Sequence, residues 1–129
     1  MYRLVLNGTP RIDVAYRDKT ISYATDGSLV NPLEATYAAL AGCAGVYAIK
    51  ACKKLGISDA GIDIQLKPMV KAANPAMPGR IVTTVSFPPH IGREQRDAIL
   101  ESIGECAVKK LIRSGSDVEF QVAEAEAGG

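Results

Sequence analysis

The longest uncharged run in the sequence, Ala35 to Ile49, limits the possible folds more than any other feature. Asn31 is placed to cap a helix, with Pro32 at its first position. Glu34 suits the positive end of the helix dipole, and Lys50, Lys53 and Lys54 suit the negative end. Gly56 supplies the C′ residue. A helix without charge between Glu34 and Lys50 must be covered on nearly all sides. Its many small residues, among them Ala38, Ala41, Gly42, Ala44 and Gly45, make it thin, so other backbones can approach closely. The run falls short of the ~20 residues that span a bilayer and is rich in Ala and Gly. It predicts a buried helix of a soluble protein with no membrane partner.

Short strands precede this helix. Apolar and polar residues alternate at Tyr2 to Asn7 and again at Arg11 to Tyr16, with the turn dipeptide Asn7-Gly8 between them. Arg17-Asp18-Lys19 forms a polar turn, and Thr20 to Thr25 is a third β-prone run. After the helix, Ile62 to Lys67 and Ile81 to Phe87 predict two strands joined by a loop through Asn74-Pro75 and Met77-Pro78-Gly79. A second helix is predicted from about Arg93 to Arg113, with Ile99, Leu100, Ile103, Ala107 and Leu111 in helical spacing. Val118, Phe120 and Val122 alternate as a last strand. The order βββ-α-ββ-α-β is an α+β pattern with a long central buried helix. A single domain over 1–123 is expected, with 124–129 as a fraying tail.

Composition narrows the function. The 129 residues suit one domain, and 15 Lys+Arg against 14 Asp+Glu leave no electrostatic footprint for nucleic acid. Trp is absent and Phe occurs twice, so a base-stacking platform is poorly supplied. The start of the chain lacks the apolar stretch of a signal peptide, and the three Cys suit a reducing compartment. A cytoplasmic location is the expectation. Cys43, Cys52, Cys106 and His90 show no paired ligand spacing, so neither a metal nor a cofactor is expected.

Cys43 is the residue to explain. Cys is often a small core residue, and Cys43 and Cys106 both sit in apolar helical surroundings. Cys52 follows Cys43 by nine positions, roughly half a turn past two full turns, so the two face opposite ways on one helix. Cys106 is then the candidate redox partner for Cys43. Cys43 lies about three turns inside its helix, where the dipole has faded, so a reactive thiolate there needs a cation. Arg17, Arg11, Arg3 and Arg80 are all available. Tyr47 lies one turn beyond Cys43 on the same face, as packing or as a hydrogen-bond donor to a bound peroxide. His90 reads as a loop residue ahead of the second helix.

The run Asn31-Pro32-Leu33-Glu34-Ala35-Thr36-Tyr37-Ala38-Ala39-Leu40-Ala41-Gly42-Cys43 resembles the signature of the OsmC/Ohr superfamily, which opens the long central helix and ends on a reactive cysteine. Cys106-Ala107-Val108 is similar to the family's segment around its second cysteine, and Arg17-Asp18 to its Arg-bearing turn. The resemblance covers about residues 8 to 123 and agrees in element order.

The resemblance implies an intertwined homodimer and a thiol-dependent peroxidase. Cys43 is the implied peroxidatic thiolate, and Cys106 the thiol that condenses with its sulfenic acid. Arg17 is implied to hold the thiolate, an organic hydroperoxide is the implied substrate, and an external dithiol restores the enzyme. The chain departs from the hydroperoxide-resistance branch in two places. Leu33 stands where that branch has its Glu, with Glu34 one position later, and Ala107 replaces the Pro after the second cysteine. Glu34 is left as a partner of Arg17, a contact across a dimer interface, or a helix cap. These departures point to the broader OsmC-like branch. The competing expectation is a non-catalytic dimer that binds an apolar or thiol-containing small molecule.

Overall fold

The computed structural model describes residues 1–71 and 74–123, and side chains within that range outside 70–78. Strands β1 (Tyr2–Arg3), β2 (Arg11–Tyr16) and β3 (Lys19–Ala24) form an antiparallel sheet in that order. Tyr2 pairs with Tyr16, and their rings stack with centroids 4.3 Å apart. Asp13 lies opposite Ser22, whose hydroxyl donates to Asp13 Oδ1 at 2.6 Å. Arg11 Nε donates to the same oxygen at 2.9 Å. Both bonds hold the Asp13 carboxyl below its usual pKa. At the β2–β3 turn Arg17 adopts φ 57°, the left-handed conformation that tight hairpin turns demand.

The first helix, α1 (Pro32–Leu55), begins where its sequence signals place it. The Glu34 N–H donates to Asn31 Oδ1 at 2.9 Å, and the Asn31 N–H donates to Glu34 Oε1 at 3.0 Å. This reciprocal capping box satisfies two of the donors that a helix start leaves open. Gly56 ends the helix with φ 70°.

One face of α1 is buried, through Ala44, Ala48, Ala51 and Cys52. Its small side chains allow α2 and β4 to pack closely there. Ala48, Ala51 and Cys52 join Ile91 and Ile99 in the core, flanked by Ile57, Ile62, Ile64, Phe87 and Ile103. The other side exposes Val46 and Ile49, and Leu33 is exposed in the first turn. Coverage on nearly all sides was the expectation, but a single chain supplies packing elements to one face. By length and composition alone, α1 could also cross a membrane.

Strands β4 (Asp63–Lys71) and β5 (Asn74–Ser86) pair antiparallel from Asp63↔Ser86 to Lys71↔Asn74. The hairpin extends through the segment predicted as a loop, with register shifts on either side of Val70. Proline is tolerated in this ribbon because each strand has an outer edge that needs no ladder donor.

The second predicted helix is two helices, α2 (Arg93–Gly104) and α3 (Ala107–Ser114). Gly104 is a poor helix former, and the chain closes there with 3₁₀-type bonds from the N–H groups of Glu105 and Cys106 to Ser102 and Ile103. A new helix then starts as the Lys110 N–H reaches the Cys106 carbonyl at 3.1 Å. The predicted final strand does not form among the described residues. Val118, Phe120 and Val122 are irregular and highly exposed, because strand backbone needs a neighbour to hydrogen-bond. The predicted tail, 124–129, lies outside the described residues.

The compact core makes Ile99, which is fully buried, a sensitive position. Ile99→Ala is expected to lower unfolding free energy by about 2–5 kcal/mol in urea titration. Exposed Asp97→Ala on the same helix is expected to change it by less than about 0.5 kcal/mol.

Candidate active site

Cys43 is half-buried near the middle of α1, on the side that meets α3. Opposite it, Cys106 occupies the N-cap position of α3 with an extended backbone, φ −52° and ψ 125°, and makes no side-chain cap bond. A helix start without a capping side chain presents open N–H groups and the positive end of the helix dipole. The N–H groups of Ala107 and Val108 interact with the Cys43 thiol, as does the Cys106 thiol itself. Cys43 thus shares the start of α3 with Cys106, whose own thiolate is favoured by the N–H groups of Lys109 and Val108.

This setting makes the two thiols unequal. Burial pushes the Cys43 thiol up, but the Cys106 thiol, the two N–H groups and the Lys50 charge together bring it below its ordinary value. The Cys106 thiol is raised, first by burial and then by its interaction with Cys43. Cys52 is also raised, by burial and by Asp59. All three are free thiols. The pair thus combines a nucleophile favoured as thiolate with a neighbour that retains its proton.

Neighbouring contacts fix the corner. The Ser102 hydroxyl on α2 donates to the Tyr47 carbonyl on α1 at 3.0 Å. Lys50 Nζ lies 5.0 Å from the centroid of the Tyr47 ring. Lys110 on α3 pairs with Glu105 and also senses Tyr47. A groove of about 610 Å³ runs beside Cys106, with apolar walls including Leu40, Ile81 and Ile103, and the cations Arg80, Lys109 and Arg113 at its side.

The structure brings Cys43 and Cys106 together, while the other two predicted site residues stand elsewhere. Arg17 is exposed on the β2–β3 turn, its guanidinium 5.1 Å from the Tyr16 ring centroid. Glu34 is engaged in the capping box in the first turn of α1. His90 lies 3.0 Å from the Ser58 carbonyl through Nε2, in the loop before α2. Among the described residues, no group of three or more His, Cys, Asp or Glu side chains could hold a metal ion. Sequence reasoning missed the N–H groups at the start of α3. Gly104, two residues before Cys106, was the available signal for the helix break.

The fold is α+β, with a long capped helix that carries one thiol against a second at a helix start. Residues 25–121 match the family model for "OsmC-like protein", and the chain belongs to the OsmC-like family. A crystal structure described as "a putative osmotic stress induced and detoxification response protein" from Psychrobacter arcticus 273-4 shares the fold. Its TM-score is 0.68 at 16% identity, over 84% of this chain and 85% of that one. No curated protein matches the chain.

The lowered Cys43 pKa means a larger thiolate fraction than an ordinary thiol has at the same pH, and the raised values mean smaller fractions at Cys52 and Cys106. Limited iodoacetamide treatment at neutral pH is expected to label Cys43 first. Peptide mapping checks this, and the lead of Cys43 is expected to narrow as pH rises and the other thiols ionise.

Proposed function

We propose that this protein is a thiol-dependent peroxidase that reduces organic hydroperoxides through Cys43, with Cys106 as the resolving thiol. The observation that carries this reading is the inequality of two adjacent thiols at the start of α3. Family membership supports it.

The Cys43 thiolate attacks the terminal oxygen of the hydroperoxide. The O–O bond breaks, Cys43 becomes a sulfenic acid, and the departing alkoxide takes a proton to leave as an alcohol. The Cys106 sulfur then attacks the sulfenic sulfur, a disulfide forms and water leaves. An external dithiol reduces the disulfide and restores both thiols. Ala107 and Val108 N–H groups favour the thiolate at the outset, and the proton kept by Cys106 prevents two adjacent negative charges.

The reading extends to a cytoplasmic homodimer. The exposed apolar side chains of α1 and the unpaired segment Val118 to Val122 support a second copy as their cover. Arg17 and Glu34 belong to the proposal through family resemblance, as residues that a partner subunit could bring to the site. The apolar groove beside Cys106 favours a second reading, in which the dimer holds a small molecule without turnover.

Peroxide consumption separates the two readings. With cumene hydroperoxide and excess dithiol, the wild-type protein is expected to turn over and Cys43→Ser to lose at least about 100-fold of the rate, the scale of removing an essential nucleophile. Equal rates for the two proteins contradict the peroxidase reading. Unchanged free thiols after one equivalent of hydroperoxide support the binding reading.

A further inference from the structure

The groove of about 610 Å³ beside Cys106 lies between four elements, α1, β5, α2 and α3. Its size falls within the roughly 300–1,000 Å³ of small-molecule sites. The walls are apolar at Leu40, Ile81, Leu100 and Ile103. Its side carries three cations, Arg80 on β5 and Lys109 and Arg113 one turn apart on α3. Among the described residues no acid lines it. The whole chain balances 15 basic residues with 14 acidic ones, so a lining of cations alone departs from its composition. The ion pairs among the described residues are Arg11–Asp13 and Lys110–Glu105, so neither engages a groove cation. Glu105 feels the Lys109 charge, but its carboxylate is paired with Lys110.

The groove adjoins the thiol pair. Cys106 lines it, and Leu40 precedes Cys43 by three residues, roughly 60° away around the helix. It meets α1 at Leu40 and the buried Ala44, away from the exposed Val46 and Ile49 left to a second copy. We propose that this groove binds an amphipathic anion, an apolar body against its walls and a carboxylate among Arg80, Lys109 and Arg113, and so selects acidic organic hydroperoxides over neutral ones. The inference rests on the peroxidase reading above and names the substrate class of that site. A carboxylate gains charge-assisted hydrogen bonds from cations that a neutral ligand leaves to water, while its apolar body leaves water for the walls. The three cations are exposed, so their effect is modest and open to screening by salt. They act on the carboxylate and not on the reacting oxygens, which makes them selectivity residues.

Titration calorimetry of the full-length reduced protein with decanoate and with decanol tests the site. At low salt decanoate is expected to bind about three- to tenfold more tightly than decanol, and salt on the order of 1 M to narrow the gap. Lys109→Met combined with Arg113→Met is expected to weaken decanoate by a similar factor and leave decanol unchanged. Lys109→Arg combined with Arg113→Lys keeps both charges and is expected to keep the wild-type affinity. Selection among substrates is read from kcat/KM: para-carboxycumene hydroperoxide is expected to exceed its methyl ester, and the paired Met variant to lose that preference. Decanoate that fails to bind overturns the proposal, as does equal affinity for acid and alcohol, or a Met pair that weakens both alike. A methyl ester consumed as fast as its acid by the active enzyme overturns it too. A protein that prefers decanoate yet consumes neither hydroperoxide defeats the peroxidase reading and upholds the anion site.

Discussion

The site depends on one interaction, the sulfur of Cys43 meeting the open start of α3. A helix start normally takes an oxygen from its own N-cap side chain. Here the N-cap is Cys106, which makes no such bond. The Cys43 sulfur, more than sixty residues earlier in the chain, faces the same helix start and is favoured as thiolate by the N–H groups of Ala107 and Val108. Three features make this possible: the small residues around Cys43 let α3 approach, Gly104 ends α2 in time for a second helix to begin, and the Ser102 hydroxyl bonds to the Tyr47 carbonyl. The same contact lowers one thiol and leaves its neighbour raised, so geometry and reactivity share a cause.

The core that supports this corner is small and lies on one side of α1. Much apolar surface remains outside it, including Leu33, Val46 and Ile49 on α1 and Phe120 near the end of the chain. Small domains have difficulty burying enough surface alone. The long uncharged helix is therefore better suited to two layers of cover than to one, which is the physical basis for the proposed homodimer.

Local rules made much of the fold legible. Asn31, Pro32, Glu34 and Gly56 marked both ends of α1, because caps are set by neighbouring residues. The alternation in β2 and the β-prone run of β3 were equally plain, and the half-turn offset of Cys52 from Cys43 followed from helix geometry. The break between α2 and α3 was hidden because Ile103, Ala107 and Leu111 keep helical spacing across it. The segment around Phe120 has strand-like alternation but no partner strand among the described residues, a tertiary condition that no local pattern reports. Lys50 was read as a complement to the helix dipole, and its contact with the Tyr47 ring is a side-chain placement that the dipole argument does not report. Glu34 shows the reverse: its cap contacts lie within three residues and so could be read directly.

The central claim is that Cys43 and Cys106 act as a pair while Cys52 stands apart. Its most direct test is disulfide mapping by mass spectrometry under non-reducing conditions, after one equivalent of organic hydroperoxide. The account predicts a Cys43–Cys106 cross-link with Cys52 still free. A cross-link that includes Cys52, or oxidation of Cys43 that never yields a bond to Cys106, would contradict it.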